Sequence, residues 1–169
     1  METVLIAAVS DNGAIGKDKA LLWHLPADQR FLDGQIRDSW LITGRRSWES
    51  AQGQELFPGR QRVVLLTSRK GYDGKGAHIA GSLQEGLSIA RQHGAARTCI
   101  LGGQGVYEAA MPLADALILT EVHGNFAGDS YFPAIPSGTW EELRRENHEA
   151  DAENPYPYSF VFYRRAKAE

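Results

Sequence analysis

Short runs of β-branched and aliphatic residues recur along the sequence, separated by segments with a helical pattern. The apolar runs are continuous instead of alternating with polar residues, which is typical of strands covered on both faces. Proline stands where the intervening helices are expected to begin or end. We therefore predict an α/β protein with a mostly parallel central sheet. The predicted strands are Thr3–Val9, Trp40–Thr43, Arg62–Thr67, Ala77–Ala80, Thr98–Leu101 and Ala114–Val122, and the predicted helices are Ala27–Ile36, Ser47–Gln52, Leu83–His93 and Val106–Met111.

The C-terminal part of the chain has a different pattern. Segments Trp140–His148 and Tyr158–Arg165 flank the turn-rich stretch Asp151–Pro157, and the second segment alternates between two sets of side chains. This alternation predicts an antiparallel hairpin at one edge of the sheet. The 169 residues contain neither an internal repeat nor a linker-like stretch, so we expect a single domain over residues 1–169.

Charge and cysteine content exclude several classes of protein. The chain carries 18 basic and 21 acidic side chains, a formal net charge of −3, so it has no overall positive field to hold nucleic acid or an anionic membrane. Cys99 is the only cysteine, which rules out an intramolecular disulfide and fits a reducing compartment. The N-terminal apolar run Val4–Val9 is too short to span a bilayer. We expect a cytoplasmic protein without nucleic-acid or membrane partners.

Glycine is abundant, with 18 residues or about a tenth of the chain against a usual share of about 7%. Two glycine turns share one context, a buried strand followed by glycine and a helix start: the first contains Gly44, and the second comprises Gly102, Gly103 and Gly105. Free N–H groups face outward at such a junction, and glycine lets a phosphate approach the backbone. Both turns follow strand ends, where open α/β sheets bind ligands. They predict a pyrophosphate site, although glycine can also serve turn conformation alone.

A third strand end offers the chemistry of a ribose 2′-phosphate site. Thr67, Ser68 and Arg69 supply two hydroxyls and a guanidinium, which favours NADP over NAD; the simpler alternative is a solvated strand exit. The usual Rossmann fingerprint is absent, because Glu108 stands where its third glycine belongs. The five histidines lack the spacing of metal ligands, so we expect no metal.

One carboxylate lies in an apolar context. Asp28 follows Pro26 in the first turn of a predicted helix, near Trp23, Leu25 and Phe31. An acid at this position can simply complement the helix dipole. A desolvated carboxylate can instead share protons with an amidine-like heterocycle through paired hydrogen bonds. A pterin ring has that hydrogen-bonding edge.

Together, a series of motifs in fixed order covers nearly the whole chain: Ile6–Ala8, Asn12–Gly16, Trp23–Asp28, Gly44–Ser50, Pro58–Arg60, Leu101–Tyr107, Thr120–Val122 and Gly128–Pro133. In these motifs the chain resembles the dihydrofolate reductases of bacterial type. The resemblance implies a three-layer fold with a mostly parallel eight-stranded sheet, an antiparallel C-terminal edge and about four flanking helices. It also implies that the protein reduces 7,8-dihydrofolate to 5,6,7,8-tetrahydrofolate, by hydride transfer from NADPH to C6 and protonation of N5. This reaction would support one-carbon metabolism. The resemblance further implies that the protein is a monomer and a target of antifolates.

The resemblance also assigns roles to residues. Asp28 would bind the pterin and assist protonation of N5, Thr120 would be joined to it through water, and Trp23 would close the wet side of the site. A mobile loop, Asp11–Trp23, would contact the Gly128–Asp129 loop. The substrate-binding residues would be Ile6, Ala8, Asp28, Leu32, Phe57, Arg60, Leu101 and Thr120, with Arg60 clamping the glutamate tail. The cofactor-binding residues would be Ala8, Ile15, Gly16, Leu21, Gly44, Arg45, Arg46, Ser47, Thr67, Ser68, Arg69, Gly102, Gly103, Gln104, Gly105, Val106 and Tyr107.

Several positions depart from the family pattern: Leu22 replaces a proline, Gln29 an apolar residue, Leu32 a phenylalanine, Asp33 a lysine, Ile36 a threonine and Thr43 a methionine. Extra residues, including Glu55, occur in Ala51–Phe57, where the substrate tail should pass. From Gln29, Leu32 and Ala51 we expect a roomier, more polar groove that binds small diaminopyrimidine antifolates weakly.

Two other functions are compatible with parts of the pattern. One is a reductase of the riboflavin-pathway type, which shares the sheet and the NADPH site; Asp28 after Trp23 and the tail residue Arg60 argue against it. The other is a non-catalytic module that binds NADP or folate. Turnover of dihydrofolate, followed by NADPH absorbance, distinguishes all three.

Overall fold

The strands of the protein form one large sheet and one small sheet. A computed structural model describes residues 1–17, 21–50 and 62–167. Its strands are β1 (Glu2–Ser10), β2 (Ala14–Gly16), β3 (Trp40–Gly44), β4 (Val63–Leu66), β5 (His78–Ala80), β6 (Arg97–Ile100), β7 (Ala116–Val122), β8 (Ser130–Tyr131), β9 (Trp140–His148) and β10 (Tyr158–Arg165). Its helices are α1 (Pro26–Ile36), α2 (Arg45–Glu49), α3 (Leu83–Gln92) and α4 (Gln104–Ala110).

The large sheet is mostly parallel. Its eight strands have the order β5-β4-β3-β6-β1-β7-β10-β9, and all pairs from β5 to β7 are parallel. Strand β10 runs antiparallel to both β7 and β9. The predicted α/β sheet with an antiparallel C-terminal edge is therefore confirmed. The small sheet pairs β2 with β8 and was not predicted, because strands of three and two residues leave no apolar run.

The central strand β1 shows why the apolar runs are continuous. Leu5 and Ala7 belong to a core cluster that includes residues of α3 and α4. Val4 and Ile6 face the opposite cluster, against which Phe31 of α1 packs. Because helices cover both faces of the sheet, successive residues of the strand are all buried.

Helix α3 has a capping side chain at its start and a left-handed glycine after its end. The Ser82 side chain accepts a hydrogen bond from the Glu85 N–H at 3.2 Å, as in a capping box, while the Glu85 carboxylate accepts one from the N–H of Gly81, the residue before the N-cap, at 2.9 Å. Gly94, with φ of +75°, follows the C-terminal end, where a left-handed residue is common. Leu83 and Leu87 are buried on the inner face.

Helix α1 begins at Pro26, one residue before the predicted start, and two other helix starts differ from the prediction by two residues. Helix α2 begins at Arg45 instead of Ser47 and ends at Glu49, while Gln52 lies outside the described residues. Helix α4 begins at Gln104 instead of Val106. In both cases a glycine takes the N-cap position, Gly44 or Gly103, so the helix starts directly after it. No helix among the described residues is long and apolar enough to cross a membrane.

Candidate active site

A cleft opens where β1, β6 and β7 approach their carboxyl ends. It encloses about 700 Å³ of empty space, the open mouth included. The lining residues are Ile6, Ala7, Ala8, Ile15, Leu21, Asp28, Leu32, Ser47, Leu101, Gly102, Gly103, Tyr107 and Thr120. Apart from Ala7, each of them is a site residue expected from the sequence. Ala7 lies within the motif Ile6–Ala8, which gave it no role of its own.

Asp28 lies in the first turn of α1 and faces this cleft. The hydroxyl of Thr120, on β7, donates a hydrogen bond to Asp28 Oδ1 at 2.6 Å. The expected water between these side chains is therefore wrong: α1 packs closely enough on β7 for direct contact, and Thr120 is only 2% exposed. Burial raises the pKa of Asp28 from its ordinary 3.8 to about 6, although the Thr120 hydroxyl lowers it.

The cleft is otherwise poor in charge. Asp28 is the only carboxylate among its described lining residues, which include no lysine, arginine or histidine. The Tyr107 hydroxyl is buried and donates to the Ile6 carbonyl oxygen at 2.6 Å. Burial, with a smaller contribution from Asp28, raises the pKa of Tyr107. The phenol is therefore neutral, and Asp28 is the group in this cleft that can exchange a proton near neutral pH.

Trp23 lies beside the cleft and not in its described lining. It belongs to a buried cluster with Leu25 and Tyr158, and its ring meets Phe126 edge to face at a centroid distance of 5.2 Å. Its indole Nε1 is buried without a hydrogen-bond partner among the described residues. An unpaired buried donor of this kind is open to a water molecule or a ligand atom.

The two glycine turns lie against each other. The Gly44 N–H donates to the Gly102 carbonyl oxygen at 2.8 Å, and a Cβ on Gly44 would lie 3.2 Å from a methyl carbon of Val106. Gly102 has φ of +98°, and a Cβ there would lie 3.2 Å from Ser47 Oγ. The sequence placed both turns at one edge of the sheet, and the structure brings them into contact.

The remaining cofactor candidates lie outside the described cleft lining. Arg45 is paired with Glu49 at 2.9 Å, and Arg46 is exposed. The Thr67 hydroxyl accepts the Arg69 N–H at 3.1 Å in the loop after β4. Because β3 and β4 are neighbours, these groups follow adjacent strand ends. The others outside the lining are Gly16, Gly44, Ser68, Gln104, Gly105 and Val106.

The expected contact between the loop after β1 and the Gly128–Asp129 loop is present. The Asp129 N–H donates to the Gly16 carbonyl oxygen at 2.9 Å. A Cβ on Gly128 would lie 2.9 Å from that same oxygen, so a side chain there would push the loops apart. Residues 18–20 of the predicted loop lie outside the described residues, as do Phe57, Arg60 and the Ala51–Phe57 segment.

The sheet of this α/β protein carries two paired glycine turns beside an apolar cleft, and the cleft holds one desolvated carboxyl group. This arrangement is typical of a nucleotide-dependent reductase that acts on a small heterocycle. The family model for dihydrofolate reductase matches residues 2–165. The chain belongs to the dihydrofolate reductase family. Its activity is the NADPH-dependent reduction of dihydrofolate to tetrahydrofolate.

Relatives cover the chain almost completely. It is 37% identical over 163 residues to the type 3 dihydrofolate reductase of Salmonella typhimurium, a match that spans 96% of this chain and 98% of the relative. It is 36% identical over 165 residues to a dihydrofolate reductase of Neisseria meningitidis serogroup A, spanning 98% and 99%. A solved structure of the Enterococcus faecalis dihydrofolate reductase, complexed with NADP(H) and RAB-propyl, is similar with a TM-score of 0.87 and 30% identity, covering 98% of this chain and 97% of that one.

Proposed function

We propose that this chain reduces 7,8-dihydrofolate with Asp28 as the side chain, among the described residues of the cleft, that exchanges a proton at the reacting rings. The observation that carries the proposal is the hydrogen-bonded pair of Asp28 and Thr120 in a cleft whose other described lining groups are uncharged. A pterin presents an amino group and a ring nitrogen on one edge, and a carboxylate can accept both N–H groups in parallel. Asp28 is positioned to hold the pterin in this way.

Asp28 is also suited to proton delivery. A pKa of about 6 leaves a useful protonated fraction near neutral pH, which is what general acid catalysis requires. The Thr120 hydroxyl donates to Oδ1 and so fixes the plane of the carboxyl group while leaving further lone pairs for the substrate. In the proposed reaction, N5 of dihydrofolate gains a proton by way of Asp28.

The described residues fit NADPH. Gly102 and Gly103 contribute only backbone atoms to the cleft wall. A Cβ on Gly102 would lie 3.2 Å from Ser47 Oγ. When bound, NADPH supplies the hydride that C6 of dihydrofolate accepts. We assign the nicotinamide end to Ala8, Ile15, Gly16, Leu21 and Tyr107, the pyrophosphate to Gly44–Ser47 and Gly102–Val106, and the 2′-phosphate to Thr67, Ser68 and Arg69.

Apolar side chains surround the proposed reaction centre. Ile6, Leu32 and Leu101 line the cleft with Asp28, and they would orient the pterin and exclude water around the transfer. Trp23, packed next to α1, would limit water on the far side. For the benzoyl-glutamate tail we propose Phe57 and Arg60 on the sequence pattern alone. We also propose that the protein acts as a cytoplasmic monomer.

Substitution of Asp28 tests the central assignment. In Asp28→Asn, kcat/KM for dihydrofolate at saturating NADPH should fall by about 10²–10⁴-fold, measured as loss of NADPH absorbance. Asp33→Asn is the matched control, because it removes one negative charge from the exposed side of the same helix. Wild-type turnover in Asp28→Asn would show that the carboxyl is structural and that the proposed mechanism is wrong.

The antifolate hypothesis now rests on Leu32. That residue lines the cleft, whereas Gln29 is exposed outside the described lining and Ala51 lies outside the described residues. Leucine fills less space than the family's phenylalanine, so a diaminopyrimidine should lose apolar contact at this point. Leu32→Phe should tighten inhibition by such a compound about tenfold, and nanomolar inhibition of the unaltered protein would contradict the hypothesis.

A further inference from the structure

Helix α1 starts without a capping side chain of its own. Its N-cap residue is Leu25, which offers no side-chain acceptor, and Pro26 has no N–H to satisfy. The N–H groups of Asp28 and Gln29 donate to the Leu25 carbonyl oxygen at 3.0 and 3.2 Å. The Ala27 N–H is the remaining donor of this turn, and a buried N–H requires an acceptor.

That acceptor comes from the opposite end of the chain. Asn154 Oδ1 accepts the Ala27 N–H at 3.0 Å, across 127 positions of sequence. Asn154 belongs to the turn between β9 and β10 and is only 2% exposed. A fully buried amide in a turn that otherwise faces solvent indicates a specific role for its polar atoms.

The orientation of the Asn154 amide is determined by its neighbours. Asn154 Nδ2 donates to Asp151 Oδ1 at 3.0 Å, and the same oxygen accepts the N–H groups of Glu153 and Asn154 at 2.9 and 2.8 Å. Because the carboxylate can only accept, the amide nitrogen must face Asp151 and the amide oxygen must face Ala27. These bonds hold Asp151 charged, lowering its pKa.

We propose that Asn154 is a positioning residue for Asp28, acting through the Ala27 N–H to hold the first turn of α1 in place. None of the residues of α1 is fully buried; Phe31, Leu32 and Ile36 pack against the core from its later turns, whereas the first turn is held by Ala27 and its capping bond. A second contact from the same hairpin supports the assignment: Phe160 on β10 stacks on Phe31 of α1 at a centroid distance of 3.9 Å. The surface pair Arg30 and Glu153, at 3.7 Å with both side chains mostly exposed, adds little.

The inference rests on the proposed role of Asp28, the residue after Ala27. If the cap is lost, the Ala27 N–H must be satisfied by water, which then reaches the first turn. Better solvation of the carboxyl lowers its pKa, and a displaced carboxyl aligns less well with the pterin. Both effects act on Asp28, and a general loss of stability would not produce them.

The test compares two helix caps. Asn154→Ala removes the cap of α1, and Ser82→Ala removes that of α3, where the Glu85 N–H loses its acceptor; each loss destabilises a helix by a similar amount. Asn154→Ser is a second variant for the case in which Asn154→Ala does not fold. It keeps a small polar side chain and the backbone N–H bond to Asp151, but its hydroxyl is too short to reach Ala27. The readouts are the pKa of the Asp28 carboxyl by ¹³C NMR and kcat/KM for dihydrofolate at saturating NADPH.

We expect either Asn154 variant to lower the Asp28 pKa by about 0.5 or more and kcat/KM by about tenfold, while Ser82→Ala changes neither. An unchanged pKa and kcat/KM in the Asn154 variants, or equal changes in Ser82→Ala, would overturn the inference.

Asp28→Asn separates the two proposals: if it abolishes turnover while the Asn154 variants behave as wild type, the role of Asp28 stands and only that of Asn154 fails. If Asp28→Asn retains turnover, the proposed role of Asp28 fails, and the NMR titration still decides whether Asn154 positions the carboxyl.

Discussion

Replacing Asp28 by asparagine should stabilise the protein at neutral pH. The carboxyl has a pKa of about 6 in the folded protein against 3.8 as its ordinary value, and each pH unit of difference corresponds to about 1.36 kcal/mol. The folded state therefore binds more protons than the unfolded state between these two values, so stability falls as pH rises through this window. The loss reaches roughly 3 kcal/mol above pH 6. Asparagine has no such ionisation and can still accept the Thr120 hydrogen bond.

Urea unfolding of both proteins from pH 3.5 to 8 measures this effect. Below pH 3.8 the two free energies of unfolding should nearly coincide, and the gap should open between pH 4 and 6 in favour of Asp28→Asn, up to about 3 kcal/mol. Asp33→Asn, on the exposed side of the same helix, controls for the removal of one charge. A gap that stays flat across this range, or a variant less stable than wild type at pH 7, would refute the reasoning.

Two further changes probe the site. Thr120→Val removes the hydroxyl that lowers the Asp28 pKa, so the pKa should rise above 6 and the pH–rate profile should move with it; ¹³C NMR of the carboxyl checks this, and an unmoved pKa would contradict it. Gly102→Ala places a Cβ at φ of +98° and 3.2 Å from Ser47 Oγ, so NADPH affinity by fluorescence titration should fall about tenfold. Gly34→Ala, where a Cβ meets nothing within 4 Å on helix α1, should instead stabilise the protein by about 0.5–1 kcal/mol.

The sheet was predictable because its physical cause is local. Val4 and Leu5 are both fully buried although they face opposite sides of β1, so the strand appears in the sequence as a continuous apolar run. The glycine turns were predictable for a related reason. Parallel strands end at the same edge, which places Gly44 and Gly102 on one side of the sheet before any distance is known.

The resemblance placed Asp28 beside Thr120, but the distances between side chains far apart in sequence were not predictable. Thr120 and Asp28 are 92 positions apart and bond directly, where the family resemblance led us to expect a water. The Asn154 cap reaches across 127 positions. Its only trace in the sequence is that Leu25, which precedes Pro26, has no side chain that could cap the helix. Both contacts depend on how closely α1 packs on β7 and on the C-terminal hairpin, and no local pattern encodes that distance.

Polar residues inside apolar runs give a partial remedy. Thr120 interrupts the apolar run of β7, and it is the partner of Asp28. Thr43 interrupts β3 in the same way, is fully buried, and its hydroxyl donates to the Gly102 carbonyl oxygen at 3.3 Å. Burying a hydroxyl is unfavourable unless it is hydrogen-bonded, so a threonine within a core strand implies a polar group opposite it. The groups opposite Thr120 and Thr43 belong to the cleft, whereas Thr98 of β6, which is also fully buried, donates to Met1 Sδ outside the cleft lining. An interruption of the apolar pattern therefore indicates a buried polar contact, and those at the carboxyl ends of the strands indicate where the fold supports its chemistry.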